Sequence, residues 1–273
     1  MYTKSTVVKN IRTVLKLLFT DPTLLKARLL SLKKPPLFLF QMGKVASKTH
    51  DRTLNHLYFV QHFHDQVEFD AAYARGCKNF KGSQYYPHDI ITGTRDPLTR
   101  KISTFFQNIT AAHYDFSYKS KNEVRNASVS ELISRFRSWS SGINEATGWF
   151  DRHFLPKTGI DVYASSFDPE QGWQLIETDQ FRVVIVKLED IRKNHVLALN
   201  ALLAKRFGNG ETVEALISSN LSEDKWYSEK MRKFKETISF SEEELDEAYG
   251  SKYMLHFYSA EQIHNLRSKW VKV

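Results

Sequence analysis

The chain has 273 residues, of which 41% are hydrophobic and 13% aromatic. A chain of this length and aromatic content can bury a substantial core, which excludes general disorder, and eleven Gly and seven Pro exclude collagen-like or low-complexity character. The single cysteine, Cys77, excludes an internal disulfide framework and a zinc-ribbon site. The net charge of +8 is unevenly placed: residues 1–34 carry eight basic groups against one acidic, leaving 31 basic and 30 acidic groups in the remaining 239 residues. A nucleic-acid-binding domain needs a basic face on the fold itself, so no nucleic-acid partner is expected.

In residues 4–19, Val7, Val8, Ile11, Val14, Leu15 and Leu18 fall on one helical face, with Lys9, Arg12 and Lys16 off it. Asp21-Pro22 restarts a helix bearing Leu24, Leu25, Leu29 and Leu30, and Lys33-Lys34-Pro35-Pro36 ends it. Residues 1–34 therefore read as a basic amphipathic helical arm before a main domain over 35–273. The arm either packs on that domain or lies on an anionic membrane surface. No run of 18 apolar residues predicts a spanning helix, and the N-terminus lacks the apolar core of a signal peptide. The expected location is cytoplasmic, with peripheral attachment to the inner membrane face as the alternative.

Leu37–Met42 is an apolar run of strand length. It empties into Gly43-Lys44-Val45-Ala46-Ser47-Lys48-Thr49, and a helix follows to about Tyr58. Residues 58–64 suit a second strand and residues 71–82 a short helix and loop. Asp89–Thr94 is a third strand ending at Arg95. Asp96-Pro97 opens a helix with Asp as N-cap and Pro at its first position. Leu98, Ile102, Phe105, Phe106 and Ile109 form its core face, with Thr99, Arg100, Ser103 and Gln107 on the other side. Residues 112–130 read as a polar surface excursion, and 129–139 and 144–155 as helical. Residues 159–163 and 181–187 are further strand candidates, and the chain from about 190 is mostly helical. This alternation predicts an α/β fold with a mostly parallel sheet flanked by helices.

A strand running into small residues and lysines, then a helix, is a phosphate-binding arrangement. Backbone N–H groups and the helix N-terminus face the anion, and Gly43, Ala46 and Ser47 permit close approach. It is not a Walker A loop, because Lys44 comes early and only one glycine is present. Arg95 at a strand end and Ser103 eight residues on can grip one phosphate together. The pattern K-x-[AG]-S-x-[ST] after the first strand, with R-D-P-x-x-R-x-x-S after a later one, resembles the sulfotransferase superfamily. That resemblance implies a P-loop-like sulfotransferase fold and 3′-phosphoadenosine-5′-phosphosulfate as donor. It implies that the loop Gly43, Lys44, Val45, Ala46, Ser47, Lys48 and Thr49 binds the 5′-phosphosulfate, and that Arg95 and Ser103 bind the 3′-phosphate. Asp224-Lys225-Trp226-Tyr227-Ser228 and His256-Phe257-Tyr258-Ser259 further resemble a bacterial family of capsular polysaccharide synthesis proteins named for an Asn-Lys-Trp-Tyr-Ser motif, with Asp224 in place of Asn. This likeness extends over roughly residues 37–260.

Sulfuryl transfer to an alcohol needs a base for the hydroxyl proton and a group to offset charge on the leaving phosphate oxygen. Lys44 suits the second role. For the base, His64 is preferred and then His62, two residues apart at the end of the second strand. His88 is third, at the wrong strand end. His62 and His64 lack a third ligand for zinc, so no metal is expected. Trp226 and Tyr227 read either as core aromatics or as a stacking surface for adenine or sugar, and Glu189-Asp190 as a helix N-cap. The expected activity is sulfuryl transfer to a carbohydrate hydroxyl in capsular or cell-surface polysaccharide synthesis, with a glycan acceptor. The rivals are a nucleotide-dependent phosphotransferase, for which no clear Walker B carboxylate is seen, and a non-catalytic scaffold for polysaccharide assembly.

Overall fold

The computed structural model describes residues 34–75, 87–139, 144–217 and 225–271. The arm expected over residues 1–34 lies outside these except for Lys34, whose Nζ donates to Asn55 O at 2.7 Å; Cys77 and Asp224 also lie outside them.

Strands β1 (Pro36–Phe40), β2 (Phe59–Phe63), β3 (His88–Thr94), β4 (Trp173–Glu177) and β5 (Phe181–Lys187) form one sheet in the order β2-β1-β3-β5-β4. The first three and β5 are parallel, and β4 runs antiparallel on the edge against β5. Every residue of β1, β3 and β5 is buried, as strands covered on both faces require. Alternation along each strand divides the core in two. Phe38, Phe40, Ile90, Val183 and Ile185 face the larger cluster, with Leu98, Ile102, Phe105 and Phe106 of helix α3 (Pro97–Asn108). Leu37, Leu39, Ile91, Val184 and Val186 face the smaller one, with Leu54 of α1 (Ser47–Leu54) and Leu199 and Leu202 of α8 (His195–Phe207).

Between these lie α2 (Gln66–Arg75), α4 (Lys121–Asn126), α5 (Val129–Ser138), α6 (Asn144–Thr147), a π-helical turn (Phe150–Phe154) and α7 (Leu155–Thr158). The chain continues through α9 (Ser228–Thr237), α10 (Glu242–Tyr249), α11 (Lys252–Phe257) and α12 (Ala260–Ser268). Helix α3 starts as expected: Asp96 accepts from Thr99 N at 3.1 Å and Pro97 opens the helix.

Three expectations need correction. Residues 159–163 are not a strand: Gly159, at φ 70°, closes α7, and the Asp161 carboxylate accepts from Tyr163 N at 2.9 Å to make a turn. Residues 112–130 are not simply a polar excursion, because Phe116, Tyr118, Val124 and Ala127 are buried in the main core. Strand β4 is an addition to the expected sheet. Its residues are mostly half-buried, as an edge position allows, and Thr178 N donates to Phe181 O at 2.8 Å to turn the chain into β5.

The four parallel strands point their C-terminal ends to one side. From β1 the chain proceeds to β2 on one flank, whereas β5 pairs with β3 on the other. The crevice between the ends of β1 and β3 is therefore the switch point of the sheet, where open α/β folds bind their ligands. The opposite side is closed by ion pairs. Asp89 receives Arg182 Nη1 at 3.0 Å, Arg206 Nε at 2.6 Å and the Tyr58 hydroxyl at 3.0 Å. Near the C-terminal ends, His50 Nε2 and His195 Nδ1 meet at 3.1 Å and join α1 to α8, with His195 Nε2 2.9 Å from Lys187 O at the end of β5. Removing Asp89 would take the buried carboxylate from both arginines, leaving Arg182 its second ion pair to Glu177 at 3.1 Å. Asp89→Ala is expected to lower unfolding stability by about 3–5 kcal/mol, read as a drop in urea midpoint at unchanged slope.

Candidate functional site

The loop after β1 has an unusual backbone. Lys44 and Ala46 have φ of 77° and 68°, a sign that Gly43 and Val45 do not share. Alternation of this kind turns successive N–H groups toward one point, making an anion-binding nest. Ala46 then serves as N-cap of α1 with no side-chain capping bond, so the helix N-terminus adds its own N–H groups to that point.

Left-handed backbone at two non-glycine residues must be held by its surroundings. Two arginines do so. Arg95 Nη1 donates to Lys44 O at 3.0 Å, and Arg100 Nε donates to Gly43 O at 3.1 Å. Arg100 is anchored in turn by Glu145 Oε1 at 3.1 Å. Beneath the loop, buried Val45 rests on Gly93 of β3; a Cβ at Gly93 would stand 3.1 Å from Val45 Cβ. Glycine at 93 is what lets the loop lie down on the sheet.

Helix α3 supplies the wall of the site. Arg100 touches Gly43, and Gln107 Oε1 accepts a hydrogen bond from Lys44 Nζ. Ser103 lies between them on the same face of the helix and is buried. The side of α3 read from sequence as simply opposite the core is thus the side applied to the loop. Ser47 Oγ receives Gln41 Nε2 at 2.8 Å. Lys48 is exposed, whereas Thr49 is buried and its N–H is spent on Ala46 O at 2.9 Å.

Arg95 is gripped by the C-terminal helices. The Tyr253 hydroxyl accepts from Arg95 N at 2.7 Å and donates to Arg95 O at 3.0 Å. The next residue, Asp96, donates its N–H to Glu189 Oε1 at 2.8 Å, and the Tyr258 hydroxyl donates to Glu189 Oε2 at 3.0 Å. Tyr249 donates to Asp96 Oδ1 at 2.9 Å and accepts from Trp270 Nε1 at 2.9 Å. Glu189 is therefore no helix N-cap. It ties the end of β5 to the turn after β3.

The site is strongly cationic. Burial first, and then the charges of Arg95, Lys225, Arg100 and Lys48 in that order, together lower the Lys44 pKa to about 8. Lys225 thus acts on the loop from a distant part of the chain. Its neighbour Tyr227 is buried against Phe106 of α3, with ring centroids 5.8 Å apart, and Trp226 packs on the same core under Lys121.

The two histidines part company. His64 is exposed, and its Nδ1 lies 3.2 Å from Gln41 O. A carbonyl only accepts, so Nδ1 carries the proton and Nε2 keeps a free lone pair. Trp149 Nε1 fixes the His64 backbone through its carbonyl at 2.7 Å. His62 instead turns Nε2 to Asp51 at 3.4 Å, and burial lowers its pKa against that carboxylate's pull. His88 is buried at the far end of β3. Among the described residues, no group of three His, Cys, Asp or Glu side chains is placed to hold a metal ion. Nor is any helix among them long and apolar enough to cross a membrane.

The structure thus brings Arg95 to the Lys44 backbone, places Ser103 between Arg100 and Gln107 on the loop-facing side of α3, and sets His64 beside the Gln41 carbonyl. It adds Gln41, Arg100, Gln107 and Tyr253. Arg100 had a signal, since it occupies the second arginine position of R-D-P-x-x-R-x-x-S. The others had none beyond their polar character.

The model of the family described as putative capsular polysaccharide synthesis protein (NKWYS) matches residues 126–259. This is narrower than the likeness read from sequence. It takes in Glu189, Lys225–Ser228, Tyr253 and Tyr258 and stops short of the loop and Arg95. The family description suggests a biosynthetic role connected with polysaccharide. No curated protein and no solved structure matches the chain.

Charged Lys44 favours an anion, and a bound anion raises its pKa. Inorganic pyrophosphate is therefore expected to bind more weakly as pH rises through about 8, with proton uptake on binding above that pH. Calorimetry in buffers of differing ionisation enthalpy measures both.

Proposed function

We propose that this protein is a sulfotransferase that moves a sulfuryl group from 3′-phosphoadenosine-5′-phosphosulfate to a carbohydrate hydroxyl during capsular or cell-surface polysaccharide synthesis. The observation that carries the reading is the meeting of Lys44 and Arg95 at the switch point, where Arg95 holds the carbonyl of the nest-forming residue. The donor has two anionic ends. The residues offer two matching features: the nest with Lys44, Ser47 and Lys48, and Arg95 with Ser103. The polysaccharide family match favours a glycan acceptor.

The donor supplies an activated S–O bond to phosphate. Nest N–H groups and Lys44 orient its charged end, and Lys44 offsets the charge that grows on the departing phosphate oxygen. His64 Nε2 takes the acceptor hydroxyl proton as that oxygen bonds to sulfur and the S–O bond to phosphate breaks. The products are a sulfate ester and adenosine 3′,5′-bisphosphate, with the proton on His64. His62 is the weaker candidate for this role because its Nε2 is turned to Asp51. The basic arm of residues 1–34 would bring the enzyme to anionic membrane where lipid-linked glycans are built.

The test is incubation with donor labelled in sulfur and a capsular glycan fraction. Label is expected in the glycan, lost in Lys44→Ala and reduced about 10²–10⁴-fold in His64→Asn, with His62→Asn close to the unsubstituted protein. Transfer of phosphate from Mg·ATP with none from the sulfate donor would replace this reading by the phosphotransferase. No transfer from either would favour the scaffold.

A further inference from the structure

Gln41 is the residue that follows β1 by one position and is fully buried. Its N–H donates to Phe63 O at 3.1 Å, extending the pairing of β1 with β2. Its carbonyl receives His64 Nδ1 at 3.2 Å, and its side-chain Nε2 donates to Ser47 Oγ at 2.8 Å. The amide oxygen Oε1 is buried with no hydrogen-bond partner.

We infer that Gln41 is a positioning residue that sets two protons of the site, the hydroxyl proton of Ser47 and the imidazole proton of His64. A hydroxyl has one proton and two acceptor positions. Gln41 Nε2 fills one acceptor position, so the Ser47 proton is not spent on Gln41 and is free for an anion in the nest. The Gln41 carbonyl holds the proton of His64 on Nδ1, which leaves Nε2 as the basic nitrogen. Side chain and main chain of one residue thereby align an anion-binding hydroxyl at the start of α1 and a base just past the end of β2. Packing alone does not account for the amide. A methionine of similar length would fill the space without burying the unpartnered Oε1, a costly feature. The inference rests on the reading that the loop binds the 5′ end of the donor.

The test is a double-mutant cycle in the full chain, with affinity for adenosine 3′,5′-bisphosphate as readout and thermal midpoint as the control for folding. Gln41→Met is expected to weaken binding about five- to tenfold. Gln41→Glu is expected to weaken it more, because a carboxylate accepts the Ser47 hydroxyl's hydrogen bond and repels the anion. In a Ser47→Ala background, Gln41→Met should change affinity less than about twofold. Nitrogen-15 shifts should find His64 protonated at Nδ1 in the unsubstituted protein and in Gln41→Met alike. Additive effects in the cycle, or the Nε2-protonated form of His64, would overturn the inference while leaving the donor reading in place. No bisphosphate binding by the unsubstituted protein would overturn both.

Discussion

The site depends on a loop whose backbone is held in an unfavourable shape. Left-handed geometry at Lys44 and Ala46 costs on the order of 1–3 kcal/mol at each residue. Charge-assisted bonds from Arg95 and Arg100 to the carbonyls of Lys44 and Gly43 offset that cost. The same bonds fix where the loop's N–H groups point. Anchoring and loop geometry are thus joined, because each guanidinium holds one carbonyl of the loop.

The two arginines are placed by different parts of the chain. Arg100 sits one turn into α3 and leans on Glu145 of α6. Arg95 follows β3 and is clasped by Tyr253, while Tyr249 and Glu189 hold Asp96 and Tyr258 holds Glu189. These tyrosines and Glu189 fall within the segment matched by the polysaccharide family model, whereas the loop falls outside it. The matched segment therefore supplies the side chains that hold Arg95 and Asp96 in place behind the loop. Lys225, in the signature stretch itself, adds its charge to the surroundings of Lys44.

Much of this is legible in the sequence. The β1 run, the loop, the Asp96-Pro97 helix start and the buried β5 each carry a local signal strong enough to survive tertiary context. The switch point follows from them once strand order is known. Strand order itself was not legible, because pairing partners are set by packing across the sheet. Strand β4 was missed since an edge strand keeps half its surface in water and its apolar pattern is weak. Residues 159–163 misled for the opposite reason: they carry strand-forming side chains, yet Gly159 and Asp161 impose a turn. In the site, lysines and arginines announced themselves by type and spacing. Gln41 and Gln107 did not, because a glutamine acquires a role only through the neighbours the fold gives it. His62 and His64 are alike in sequence and are told apart by what faces them, Asp51 in one case and the Gln41 carbonyl in the other.

The central claim is that Arg95 and the Lys44 loop form one site for a doubly anionic nucleotide. Calorimetric titration with adenosine 3′,5′-bisphosphate, beside ATP with and without Mg²⁺, tests it most directly. The account predicts tight binding that is independent of Mg²⁺ and is weakened about 10–100-fold by Arg95→Ala. Absence of bisphosphate binding, or a clear preference for Mg·ATP, would contradict it.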